Sequence, residues 1–170
     1  MKYFTKDLWV DIQDKKKFKK TKEKWEIALV EYQNQFEQLE PRIPSEIYEF
    51  IKQNSLHDGK LSFMEVLGEC NLIRPNGDKR QPLSVLMKIS SGYSEDIFIF
   101  EYKGVKKLYI DYSPESKIFE YNDDGLGYIG YDELTVNDDA YLNHEFLFTT
   151  GATIEVSFKE INAYLLEEGK

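Results

Sequence analysis

Residues 142–158, LNHEFLFTTGATIEVSF, decide how the chain is read. Two apolar-rich runs flank Thr149-Thr150-Gly151, and a three-residue hairpin loop takes glycine at its last, left-handed position. With that loop, Phe146 pairs with Ile154, His144 with Val156 and Leu142 with Phe158, which makes one face apolar along both strands. A loop one residue longer or shorter would set Phe146 against Glu155. The pattern predicts an antiparallel hairpin with a determined register.

Similar runs extend upstream. LSFMEVL, LSVLMKIS, DIFIFEY, KKLYIDY and KIFEY are short and rich in β-branched and aromatic residues, and RPNGD, SSGYSE, KG, NDDG and TG punctuate them as turns. In DIFIFEYKGVKKLYIDY (96–112) a two-residue Lys103-Gly104 turn would pair Ile99 with Leu108 and Ile97 with Ile110. Downstream, KEINAYLLEEG reads as a short closing helix with Ile161 and Leu165 inward.

The first third has a helical period instead. Thr5 can cap a helix through TKDLWVDIQ, with Asp7 in its first turn. Trp25, Leu29, Tyr32, Phe36 and Leu39 alternate spacings of four and three, which draws one apolar stripe. Pro41 and Pro44 break that helix, and Ser45 caps SEIYEFIKQN. The expected fold is α+β in one domain, residues 1–170. Helices at about 5–13, 14–39 and 45–54 pack on a mainly antiparallel, hairpin-built sheet at about 60–158.

The chain has 170 residues, a net charge of −9 and one cysteine, Cys70, so an intramolecular disulfide and a cysteine-built metal site are excluded. MKYFTKDLWV meets charge at once and has no apolar run of a signal peptide, and no run reaches membrane-span length, so the cytosol is the expected compartment. Residues 1–25 hold nine Lys against four Asp/Glu, and residues 111–170 hold 14 Asp/Glu against three Lys. Such a chain is a poor general binder of nucleic acid, whose affinity comes from neutralised phosphates. The basic stretch KKKFKKTKEKW spreads its lysines over several helix faces, and the acidic C-terminal third is the nearest source of compensation.

Several motifs invite chemistry. GLGYIG (125–130) matches the dinucleotide fingerprint in letters alone, because Asn122, Asp123 and Asp124 precede it and no helix follows; it reads as a glycine-rich turn or bulge. As a calcium loop centred on Gly125, it would place Tyr131 where a bidentate Glu belongs. LHDG (56–59) reads as a helix-to-sheet hinge, in which Leu56 plugs the core, His57 and Asp58 tie the turn and Gly59 takes a positive φ. The chemical alternative is a metal-binding protein or hydrolase using His57, Asp58 and His144, with Glu145 nearby. His144 shares its face with Leu142, Phe146 and Phe148, which favours a satisfied core histidine.

The stretch 111–141 interleaves tyrosines with acids. Tyr112, Tyr121, Asp123, Asp124, Tyr128, Tyr131, Asp132 and Glu133 are the candidate binding residues, since tyrosines offer contact area at low entropic cost and carboxylates steer a basic partner. The expectation is a non-enzymatic module that binds a basic protein, such as a nuclease-type toxin, with no cofactor.

MKYFTKDLW, WEIALVEYQNQFEQLEPRIP, SLHDGKL, YDEL and HEFLFTTGATIEVSFKEI together resemble a family of small bacterial proteins of unknown function with an F-T-x-x-L-W start and an L-H-D-G turn. The resemblance spans nearly the whole chain and implies no activity. The shorter pattern, L-H-D-small before a strand and a later G-x-x-I-x-V/I-x-F strand, looks like β-sheet families linked to bacterial toxin immunity.

Overall fold

The computed structural model describes residues 1–68, 83–113, 125–138 and 140–166. Three helices lead: α1 (Lys6–Gln13), α2 (Phe18–Glu37) and α3 (Ser45–Gln53). Eight strands follow: β1 (Lys60–Leu67), β2 (Leu83–Ser90), β3 (Ile97–Val105), β4 (Lys107–Asp111), β5 (Ile129–Val136), β6 (Leu142–Phe148), β7 (Thr153–Phe158) and β8 (Glu160–Leu166). They form two antiparallel four-stranded sheets, β1-β2-β3-β8 and β4-β7-β6-β5, with N-terminal helices beside them, so the α+β expectation holds. No helix among the described residues is long and apolar enough to cross a membrane.

The β6–β7 hairpin has the expected register, with Leu142 opposite Phe158, His144 opposite Val156 and Phe146 opposite Ile154. Gly151 takes φ 82° and closes the loop by donating to Phe148 O at 2.8 Å. Phe146, Phe148, Ile154, Val156 and Phe158 all face the core.

The hairpin expected at Lys103-Gly104 does not form. β3 and β4 are two halves of one bent strand, and so are β7 and β8; the two long strands pair antiparallel across both sheets. Lys103 stands opposite Glu160 and Lys107 opposite Ser157, so Gly104 to Lys106 face only Phe158 and Lys159. One extra residue is accommodated as a bulge, and the ribbon turns the corner from one sheet to the other there. Gly104 (φ 64°) supplies the bend, and a Cβ on it would lie 3.1 Å from that of Lys159. Lys159 N–H to Lys103 O (3.0 Å) and Lys106 N–H to Ser157 O (2.8 Å) carry the ladder through.

The expected C-terminal helix is strand β8. Ile161 and Ala163 are buried and Leu165 packs against the core, while Tyr164 and Leu166 are exposed, a period of two rather than 3.6. Pairing with the free edge of β3 decides it. β5 is a strand the alternation did not announce, because Asp132 and Glu133 sit in its middle. Its register shifts between Ile129 and Tyr131, so GLGYIG is a turn with Gly125 and Gly127 at positive φ, followed by a bulge at Gly130. KIFEY and Cys70 lie outside the described residues.

Helices form in the three expected places, with corrections at their caps and ends. The Thr5 side chain accepts from Leu8 N–H at 3.2 Å and caps α1. α2 is shorter than the expected 14–39, and Ser45 is the first residue of α3, whose cap is Pro44. Phe50 of α3 meets Phe98 and Phe100 edge-on in the core. Tyr32 of α2 covers the free edge of β5 by accepting Leu134 N–H at 3.0 Å. Lys17, the N-cap of α2, pairs with Asp11, and Lys22 within α2 pairs with Glu26, both local contacts. Among the described residues no ion pair joins the lysines of the basic stretch to the acidic C-terminal third.

Candidate functional site

Among the described residues β5 presents candidate side chains on two sides, because successive residues point to opposite sides of a strand. Tyr131 and Glu133 face the N-terminal segment, whereas Asp132 and Leu134 face the space between the sheets.

On the first side, Glu133 is 0% exposed, and its carboxylate accepts three backbone amides: Lys2 at 2.7 Å, Tyr3 at 2.8 Å and Phe4 at 2.5 Å. The next residue across the sheet, Glu145, takes the N-terminal ammonium, and Glu155 beyond it takes Lys107 Nζ at 2.5 Å. Tyr131 stacks on Phe4 and contacts Trp9 and Trp25, and the Trp9 ring occupies the place where a Cβ of Gly130 would stand. Glu133 is thus the buried anchor of residues 2–4 rather than part of an open acidic surface. Glu145 serves the same segment and is no partner of His57.

On the second side, His144 is 0% exposed and both ring nitrogens are engaged. Nδ1 lies 2.8 Å from the Tyr102 hydroxyl, and Nε2 lies 3.1 Å from Asp132 Oδ2. Burial, and secondarily the charge of Asp132, push the Tyr102 hydroxyl well above its ordinary pKa, so it stays protonated. The Asp132 carboxylate can only accept, so Nε2 carries the proton that faces it, and in that neutral tautomer Nδ1 accepts from the Tyr102 hydroxyl. Three strands build this chain: β3 of one sheet, β6 and β5 of the other. Tyr102 escapes a reading of the sequence, although its place at the end of the inward row Phe98-Phe100-Tyr102 is visible there.

The LHDG turn lies against the start of β5. Asp58 N–H donates to Ile129 O, and Ile129 N–H to Gly59 O, both at 2.8 Å. Leu56 is buried. The positive φ falls on Asp58 (60°) rather than on Gly59, which is required by close approach: its Cβ would meet Leu56 O at 2.8 Å and Ser90 O at 3.0 Å. The His57 ring packs on Tyr131, with Nδ1 3.2 Å from Asp58 Oδ1. The Asp58 side chain is 52% exposed and accepts the Tyr93 hydroxyl at 2.8 Å. Asp58, Lys60, Ser91, Gly92 and Tyr128 line a shallow depression of about 350 Å³.

The sequence candidates are therefore divided. His57 sits on the Tyr131 side of β5 and His144 on the Asp132 side, so the strand separates them. No group of three or more His, Cys, Asp or Glu among the described residues is placed to hold a metal ion. Tyr128 and Tyr112 are exposed at the end of the β4–β7–β6–β5 sheet that carries the Thr149–Gly151 loop. Tyr121, Asp123 and Asp124 lie outside the described residues. Tyr93, 72% exposed and 35 positions from its partner Asp58, had no signal in the sequence beyond its turn context.

Comparison with protein families, with curated proteins and with solved structures returned no match.

Proposed function

We propose that this protein is a non-enzymatic binding module, immunity-like in kind, which recognises a basic protein through the surface where Asp58, Tyr93 and Tyr128 meet. One observation carries the reading: the paired hydrogen bonds between the LHDG turn and Ile129. They set the exposed Asp58 carboxylate, which holds the exposed Tyr93, at a depression that exposed Tyr128 and Lys60 also line. Tyrosine rings supply area at low entropic cost, and the carboxylate selects a cation. The net charge of −9 would speed encounter with a basic partner. Tyr112 and the acidic stretch with Tyr121, Asp123 and Asp124 belong to the same proposal, since they adjoin this end of the sheet in the chain.

The test is a pull-down from host cells at low and high salt, repeated with an Asp58→Asn/Tyr128→Ala double variant. A basic protein retained at low salt, released at high salt and weakened by the variant is the expected result. A partner that is acidic, is indifferent to salt or binds the variant equally well overturns the reading.

A further inference from the structure

A second site lies on the other side of β5. Between α2, α3 and the edge of β5 opens a cleft of about 540 Å³, within the size range of small-molecule sites. Tyr32 and Phe36 of α2 and Tyr48 and Ile51 of α3 form its walls, and Asp132, bonded inward to His144, forms its inner end. Phe36 and Tyr48 stack with centroids 5.1 Å apart, which makes a continuous aromatic surface.

The polar groups at this inner end are few and specific. Asp132 Oδ2 takes the His144 proton, and Oδ1 has no hydrogen-bond partner among the described residues. Tyr32 accepts from Leu134 N–H, and its hydroxyl proton has no acceptor among the described residues. At the rim, Lys52 lies over the Tyr48 ring at 5.4 Å, and Glu37 also lines the cleft. The lining thus holds two carboxylates, Asp132 and Glu37, against the single ammonium of Lys52, and Asp132 keeps one oxygen free toward the aromatic cleft. A neutral apolar ligand would bury the second Asp132 oxygen without a partner, and an anion would be repelled by the carboxylate. A cation with N–H donors and an apolar stem satisfies both the oxygen and the rings.

The relay behind the carboxylate acts in the same direction. Tyr102 fixes the His144 tautomer, and His144 fixes the orientation of Asp132 before any ligand arrives, which lowers the ordering cost of binding. We infer that the cleft is a binding site for a small organic cation, an alkylguanidinium or alkylammonium group. Its N–H donors meet Asp132, and its stem lies against Phe36 and Tyr48. Tyr102 and His144 are positioning residues. The cleft shares no lining residue with the Asp58 depression, so this inference stands apart from the proposed partner surface.

The experiment is an amide-resolved NMR titration of the whole chain with butylguanidinium, butylammonium and the uncharged butylurea. Saturable shifts at cleft amides such as Phe36, Ile51 and Asn54 are expected with the cations, with butylurea about tenfold weaker or worse. Asp132→Asn, once its spectrum is shown to be native, should lose a similar factor. If that variant does not fold, Phe36→Leu should weaken cation binding while leaving the fold intact. No saturable shift with either cation, butylurea binding as tightly as butylguanidinium, or unchanged affinity in a folded variant would overturn the inference. N-acetylarginine amide tells the source of the cation. Binding at least as tight as butylguanidinium points to an arginine side chain, and exclusion alongside bound butylguanidinium points to a free small molecule; both support the site.

Discussion

Tyr102 on one sheet and His144 on the other meet across the core, with the hydroxyl 2.8 Å from Nδ1. It is a polar link in an otherwise apolar layer of Phe100, Phe146 and Phe158, and it joins the two faces that the bent ribbon brings together. Replacing Tyr102 with Phe keeps the ring and strands Nδ1 in a buried place. A loss of about 1–3 kcal/mol is expected, the usual cost of an unpaired buried acceptor. Urea unfolding of Tyr102→Phe against wild type checks it.

Alkaline pH tests the same tyrosine from the other direction. Burial raises the folded pKa of Tyr102, and likewise of Tyr32, while the unfolded chain ionises near the ordinary value of about 10. A raised folded pKa means that the folded state keeps protons the unfolded state sheds. The contribution is complete below about pH 10 and falls away above it, by about 1.4 kcal/mol per pH unit for each tyrosine. Urea midpoints from about pH 9 to about pH 12 should fall more gently in Tyr102→Phe, by one proton's worth of slope. Parallel curves would show that Tyr102 does not titrate differently on folding.

Glu133 holds the chain's first residues by charge as well as by geometry. Glu133→Gln keeps the shape, removes the charge and turns an amide group toward the donors of Lys2, Tyr3 and Phe4. A destabilisation of about 2–3 kcal/mol follows from losing charge-assisted bonds in a buried site. Amide exchange at Tyr3 and Phe4 should accelerate in the variant more than exchange in the β6–β7 hairpin does.

Asp58 combines backbone strain with side-chain exposure, and the two separate by substitution. Asp58→Gly relaxes the φ of 60° and should stay within about 1 kcal/mol of wild type, whereas Asp58→Val should lose about 1–3 kcal/mol. Both remove the carboxylate that holds Tyr93, so both should weaken binding of the proposed basic partner. Equal stability of the two variants, read from thermal unfolding, would show that the turn relaxes around Asp58.

Local patterns were legible wherever one residue type had one structural meaning. The β6–β7 hairpin could be registered from its own letters, because a loop with Gly151 last and an apolar inward row admit one pairing. Lys103-Gly104 misleads for the opposite reason. A glycine with positive φ closes a tight turn or bends a bulge equally well, and which one occurs depends on β7, some 50 residues further along the chain. Ile161 and Leu165 are four apart, a spacing that is inward for a helix and equally even for a strand. The unpaired edge of β3 settles that ambiguity.

The candidate sites divide in the same way. Alternation alone set His144 facing inward beside Phe146, and the composition of 111–141 marked Tyr128 and Asp132 as residues of interest. Nothing local couples His144 to Tyr102, 42 positions away, or Asp58 to Tyr93, 35 positions away. Nor does anything local say that Glu133 is buried, since its partners are amides 129 to 131 positions earlier.

The order of helices before strands, the antiparallel hairpin character and the inward faces follow from periodicity, because each depends on neighbours a few residues apart. The bent ribbon, the two sides of β5 and the aromatic cleft between α2 and α3 depend on contacts between distant segments. Burial and hydrogen-bond satisfaction choose among pairings that the local pattern leaves equal, so these features arise only in the folded molecule.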